Sequence, residues 1–156
     1  MTPAIRRDRD SDTEDVARIY RRAILEGTAA RYDERQRRAW AGHGGDARRW
    51  RRRMADLETW VAVADGSVVG FMSLRADGNL DLAFIQPEWM GRGVGLALYE
   101  PLEAHARHLG MTRLDAEASY LAKPFFIRRG WQVLAEQQVA CRGVLITNFL
   151  MEKRLD

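Results

Sequence analysis

The chain is poor in the residues from which disulfides and metal sites are built. It has one cysteine and three histidines in 156 residues, and no apolar run long enough to cross a bilayer. Cys141 alone closes no internal disulfide. His105 and His108 stand three apart on a predicted helix with no thiol or carboxylate partner near in sequence, so they read as surface histidines and no metal is expected. The opening MTPAIRRDRD lacks the apolar core of a signal peptide. A soluble, cytoplasmic protein without a membrane partner is the expectation. Apolar residues make up 46% of the chain, enough for one packed core and hence one domain over residues 1–156.

Positive charge is concentrated at one end. Residues 1–53 carry 15 arginines against nine acids, whereas residues 54–156 carry ten cations against 13 acids. In ARRWRRRMADL, Ala47, Trp50, Met54 and Leu57 follow one helical stripe and the arginines take the other faces. That pattern fits a solvated helix face. It also fits a landing surface for an acidic partner, whether cofactor phosphates or a nucleic acid.

What the sequence does contain is WMGRGVGLALYE, three glycines at alternate positions ahead of an apolar, helix-forming run. Glycine admits positive φ and removes side-chain bulk, so Gly91-Arg92-Gly93-Val94-Gly95 can aim several amides at one small space. The first amides of a helix have no internal partner and sit at the positive end of its dipole, which suits a phosphate. A Walker A loop needs Gly-Lys-Ser/Thr, which is absent. A dinucleotide fingerprint needs a third Gly or Ala where Leu96 stands, and QPEWM separates the turn from the preceding strand.

The remaining periodicities place the turn in a fold. PAIRRD reads as a strand, and Ser11 with Glu14 as a capping box opening a helix through Val16, Ile19, Tyr20, Ala23 and Ile24 to Gly27. A second helical region, about Asp33 to Asp56, is split near GHGGD. TWVAVADGSVVGFMSL and NLDLAFI give three antiparallel strands joined at Asp65-Gly66 and Asp77-Gly78. Then come a helix over Leu96–Leu109 with a kink at Pro101, a strand in TRLDAEA, a short helix in SYLAKPFFIRR, and strands in WQVLAEQQV and GVLITNFLMEKRL. The fold class is α+β, in the order β-α-α-β-β-β-α-β-α-β-β, with a mixed, mostly antiparallel central sheet of about seven strands.

This order, with the glycine turn between the fourth strand and the following helix, resembles the GNAT superfamily of N-acetyltransferases. Its cofactor motif, Gln/Arg-x-x-Gly-x-Gly/Ala, is matched by Met90-Gly91-Arg92-Gly93-Val94-Gly95, with Met90 departing from the pattern. Downstream, the superfamily's Asn-x-x-Ala-x-x-x-Tyr-x-x-x-Gly-Phe is read here as Ser119, Ala122, Phe126, Gly130 and Trp131. The tail AS…AKPFF…GW…GV…NF further resembles the YafP-like bacterial acetyltransferases.

The resemblance implies acetyl-CoA as co-substrate, with its pyrophosphate on the Gly91–Gly95 turn and its pantetheine arm on backbone groups of Phe84 and Ile85, near Ser119 and Phe126. It implies acetyl transfer to a primary amine of a small molecule or peptide, and it leaves room for a homodimer. Two carboxylates at strand ends are candidate bases, Asp81 and Glu117. By strand alternation Asp81 shares a face with Ile85 about 13 Å away, which favours a water relay. Phe126 holds the position of the family's usual acid and cannot donate a proton. A hydroxyl from Ser119 or Tyr120 can, unless Ser119 only caps the short helix. The acceptor site is expected among Tyr32, Trp40 and Trp50 and the last strands, although such aromatics serve equally as core. Two other classes stay open: a CoA-binding regulator without turnover, for which Phe126 argues, and a basic nucleic-acid-binding module, for which RRWRRR argues.

Overall fold

The structure is a computed structural model and describes residues 2–43 and 46–156; Gly44 and Gly45 of the GHGGD segment lie outside the described residues. Its elements run β1 (Ala4–Arg7), α1 (Thr13–Leu25), α2 (Glu34–Ala41), α3 (Ala47–Met54), β2 (Leu57–Ala64), β3 (Ser67–Arg75), β4 (Leu80–Ile85), α4 (Val94–His108), β5 (Arg113–Ala118), α5 (Ala122–Arg128), β6 (Gln132–Cys141) and β7 (Val144–Arg154). The seven strands come in the expected order. They hydrogen-bond as an antiparallel sheet β1-β2-β3-β4 and a second sheet β5-β7-β6. Among the described residues the two meet at a single parallel bridge, Asn79 to Asp115.

β3 is buried along almost its whole length because helices cover both of its faces. Val61, Val68 and Phe71 point to one side and pack with Val16, Ile19, Trp50 and Met54 of α1 and α3. Trp60, Ala62, Val69 and Met72 point to the other, against Leu98, Leu102 and Ala106 of α4. Truncating Leu98 or Leu102, both without exposure, costs about 2–5 kcal/mol by the usual cost of a buried leucine cavity. The hairpin at Asp65 (φ 52°) and Gly66 (φ 77°) has both central residues left-handed, as a two-residue turn matching strand twist requires.

Several local expectations are corrected. α1 does not start from a Ser11–Glu14 box. A 3₁₀ turn over Asp10–Asp12 precedes it, closed by the Asp12 carboxylate, which accepts from the Arg9 amide (2.7 Å) and from the Arg6 guanidinium (2.8 and 2.9 Å). The part-buried Arg6 pairing recruits Asp12, one residue nearer the helix than the hydroxyl at Ser11. α4 begins at Val94, two residues before the expected Leu96, because Gly93 at φ 83° turns the chain directly into the helix. His105 is not a plain surface residue. Its ring meets Trp60 edge-on at 5.3 Å, and its Nε2 is buried 3.6 Å from Glu58.

Candidate active site

The site follows from a fault in the sheet. Leu80 pairs with Leu74 and Leu82 with Ser73, so Asp81 is an extra, unpaired residue and β4 bulges there. A bulge bends its strand. Past the Asn79–Asp115 bridge, β4 and β5 share no further pairing, and two cavities open along the parting. The first, about 440 Å³, lies between the end of β4, the glycine turn and α5. The second, about 300 Å³, lies on the α1–α2 side and reaches β6 and β7. Trp40, Phe84 and Ser119 line both, so the two cavities meet at these three residues.

In the first cavity, backbone polarity is set by strand register. The Gln86 amide donates to Val69 O at 2.8 Å, and pairing continues without a shift through Gly70–Ile85 and Phe71–Phe84. Antiparallel alternation then turns the N–H and C=O of Phe84 toward β3 and those of Ile85 toward the open edge. The unpaired backbone edge therefore belongs to Ile85, while Phe84 presents its ring, packed at 4.8 Å on Tyr20 and 5.8 Å on Phe71.

The glycines have separate reasons. Gly91 (φ 73°) and Gly93 (φ 83°) are left-handed, and a Cβ on either meets nothing within 4 Å. Gly95 is not left-handed; its Cβ would stand 3.3 Å from Phe125 Cε1 and 3.4 Å from Ile85 Cδ1, so it is needed for the close approach of the cavity walls. The first intrahelical bond runs from Ala97 N to Gly93 O, which leaves the amides of Val94, Gly95 and Leu96 free at the positive end of a 15-residue helix. Arg92 belongs to the turn through its backbone only. Its guanidinium folds back 4.1 Å over Trp89.

The entrance to the turn is tied to α1. Arg22 donates to Glu88 (2.6 and 3.2 Å) and to Glu26 (2.8 and 3.2 Å), and its hydrogen bonds hold the Glu88 carboxyl down at about 2. Met90, in the place of the family's Gln or Arg, lies over Gly27, where a Cβ would come 3.0 Å from its sulfur.

Around the junction, Phe126 is buried, 4.5 Å from Trp131 and 5.5 Å from Phe125. The Ser119 oxygen accepts from the Ala122 amide at 3.1 Å and so does cap α5, yet it stands where the cavities meet and its own O–H has no acceptor among the described residues. Tyr32 has no such freedom. Its hydroxyl donates to Thr147 O (2.7 Å) and accepts from the Tyr120 amide (3.0 Å), and burial raises its pKa. Tyr120 packs on Phe149 and under Arg31 and lines neither cavity.

Asp81 and Glu117 both line the second cavity, Asp81 paired with Arg53 at 3.3 Å and Glu117 accepting from Asn148 at 3.3 Å. The bulge breaks the alternation that would have put Asp81 on the face of Ile85, and the two residues open to different cavities. Of the three aromatics expected at the acceptor site, Tyr32 and Trp40 are walls, whereas Trp50 is core, edge-on to Tyr20 at 4.8 Å.

Sequence reasoning missed Tyr20, which read as one more apolar position on a helix, and Arg128 and Arg129, which line the first cavity from the end of α5. The basic pair could be seen in FFIRR. Nothing short of the fold points it at the glycine turn.

An antiparallel sheet that parts beside a glycine-led helix N-terminus, leaving an unpaired strand edge between two joined cavities, is the arrangement of an acyl-transferring enzyme. The chain belongs to the GNAT acetyltransferase family, whose domain matches residues 28–155, and it is an N-acetyltransferase. It is 37% identical over 147 residues to the uncharacterized N-acetyltransferase YafP of Escherichia coli (strain K12), covering 94% of this chain and 93% of that one. The crystal structure of a GCN5-related N-acetyltransferase from Rhodopseudomonas palustris superposes with a TM-score of 0.92 at 33% identity, covering 99% of this chain and 97% of that one. A GNAT superfamily phosphinothricin acetyltransferase from Sinorhizobium meliloti, solved in complex with acetyl-CoA, shares the fold with a TM-score of 0.78 at 20% identity, over 99% of this chain and 89% of that one. No helix among the described residues is long and apolar enough to cross a membrane.

Proposed function

We propose that the protein moves the acetyl group of acetyl-CoA directly to a primary amine that enters through the second cavity. The observation that carries this reading is the junction: two cavities of unlike lining, one headed by free helix amides and an unpaired strand edge, meet at Trp40, Phe84 and Ser119. The first cavity fits the co-substrate by its chemistry. Val94, Gly95 and Leu96 offer amides to a pyrophosphate, Arg128 and Arg129 add positive charge, and the free N–H and C=O of Ile85 suit an amide-bearing arm laid beside β4. Acetyl-CoA supplies an activated acyl group with a thiolate leaving group.

The chain's own residues then position and protonate. The β4 edge and the wall of Phe125 and Phe126 hold the thioester facing the second cavity, which converts an encounter of two molecules into an oriented one. The amine attacks as the neutral base and its surplus proton passes to water in the second cavity, which leads past Glu117 and Asp81. Ser119 donates a hydrogen bond from its free hydroxyl to the departing sulfur, which leaves as the thiolate, in the place of the tyrosine that Phe126 replaces. A thiol with a pKa of about 8.5 leaves without strong acid assistance.

The reading is tested by thiol release from acetyl-CoA against a broad panel of amines. Amine-dependent release in the wild type, reduced in Ser119→Ala with CoA affinity retained, supports it. A protein that binds CoA and releases no thiol with any amine contradicts it.

A further inference from the structure

The two ends of the second cavity differ, and the difference specifies what it takes. Where it joins the first cavity its walls are Trp40, Phe84 and Ser119, backed by Tyr20 and Tyr32, with ring centroids 4.8 to 6.3 Å apart. This end is walled by aromatic rings apart from the Ser119 hydroxyl. The far end is polar. Asp81 and Glu117 each lie just beyond the parallel Asn79–Asp115 bridge, so β4 and β5 each carry a carboxylate, the Glu117 one exposed, onto the lining of one cavity.

An independent feature points the same way. Asn148, also lining the cavity, gives its N–H to Glu117, and its Oδ1 is buried with no hydrogen-bond partner among the described residues. A buried acceptor left without a donor is costly, and a ligand N–H supplies one. Among the described residues one cation lines this cavity, Arg53, and it is already engaged by Asp81. Two carboxylates, one guanidinium and an unmatched acceptor leave the far end short of one positive charge and one N–H donor. Val139, Ile146 and Leu82 make the intervening wall apolar.

Building on the acetyltransferase reading above, we infer that the acceptor is a diamine: an apolar spacer with an amine at each end. The distal ammonium sits among Glu117, Asp81 and Asn148 Oδ1, and the nearer nitrogen meets the acyl group at the junction. Ser119 is two residues from Glu117 and Phe84 three from Asp81, which at ~3.3 Å per residue separates the two nitrogens by roughly 7–10 Å. That corresponds to a spacer of about five to seven methylenes. The cavity also sorts the nitrogens. The distal one stays protonated between carboxylates, and the nearer one loses its proton to water and attacks the acyl carbon with its lone pair. The carbon–sulfur bond breaks with its electrons on sulfur, and the second proton released from nitrogen passes to water. The product keeps one cation. Its neutral acetamide end has no charge to offer the carboxylates, so the reaction stops after one acetylation.

The test compares 1,6-diaminohexane with hexylamine, by calorimetric binding to the CoA-saturated protein and by thiol release with product masses. The diamine is expected to bind at least about tenfold more tightly, the worth of roughly one charge-assisted hydrogen bond, with a matching KM ratio and a monoacetylated product. In Glu117→Gln and in Asp81→Asn the ratio of hexylamine to diamine KM should fall toward one. Equal binding of the two amines, or a ratio unchanged in both variants, overturns the inference. So does a fall in kcat with a shifted pH profile for both amines alike, which is the signature of a general base. The two readings fail separately. Selective diamine binding without thiol release refutes acetyl transfer and leaves the recognition site standing; equal turnover of both amines does the reverse.

Discussion

Replacing Gly93 with valine puts a β-branched side chain on a residue held at φ 83°, with nothing within 4 Å of where its Cβ would stand. The perturbation is conformational and involves no clash. A left-handed L-residue costs about 1–2 kcal/mol, and a β-branched one sits at the upper end. The chain either carries that strain and unfolds at lower temperature, or moves the turn to negative φ and swings the amides of Val94, Gly95 and Leu96 off the cavity. In the second case each charge-assisted hydrogen bond lost is worth about 1.5–3 kcal/mol, so CoA affinity falls roughly tenfold to a hundredfold. Calorimetric titration with CoA, alongside thermal unfolding, reads both outcomes. Gly93→Asn should keep most of the affinity, since asparagine tolerates the left-handed region. Gly95→Val should also lose affinity, but by crowding Phe125 and Ile85 and narrowing the cavity. A folded Gly93→Val protein with wild-type affinity and thermal stability refutes the assignment of the turn.

Three further outcomes are expected. Phe126→Tyr restores a phenol in the wall of the first cavity and should hold or raise turnover with CoA affinity kept; a tenfold loss of CoA binding would show that the packed ring has no room for a hydroxyl. Arg22→Ala releases the entrance of the glycine turn from α1 and should weaken CoA binding severalfold, with recovery in the charge exchange Arg22→Glu, Glu88→Arg; unchanged affinity in Arg22→Ala contradicts a positioning role for this pair. Hydrogen bonds from Arg6 hold the Asp12 carboxyl below its ordinary range, so its contribution is complete above about pH 4 and lost as pH falls through the lower folded value. Asp12→Asn should therefore be less stable by about 1–3 kcal/mol at pH 7, with the gap in urea midpoints narrowing as the pH falls below the ordinary aspartate range; a gap that does not narrow in acid excludes this linkage.

What could be read from the residues alone was what local chemistry decides. Asp65-Gly66 announces a two-residue hairpin because few other pairs tolerate two left-handed residues, and Gly91 and Gly93 announce left-handed turn residues at the mouth of a helix. The glycine spacing also hid a distinction: Gly93 is there for its φ and Gly95 for Phe125 and Ile85, and only the packed structure separates the two. The bulge at Asp81 was invisible because it depends on the β3 partner, and with it went the alternation argument that joined Asp81 to Ile85. Trp40 and Trp50 carry the same letter ten residues apart; one became a cavity wall and the other core, because α2 packs toward β7 while α3 packs toward β2. Phe84 and Ile85 were found correctly as the end of the strand, but which of them offers its backbone to the cavity is a matter of register.

Amine-dependent thiol release from acetyl-CoA, measured with 1,6-diaminohexane in the wild type and in Gly93→Val, tests the account most directly. Saturable release in the wild type, with one acetyl group on the product, and in the variant a KM for acetyl-CoA raised roughly tenfold or more or else a lowered unfolding temperature, is the predicted result. Wild-type protein that binds CoA through the turn and releases no thiol with this or any other amine would contradict it, and would make the fold a CoA-binding scaffold without turnover.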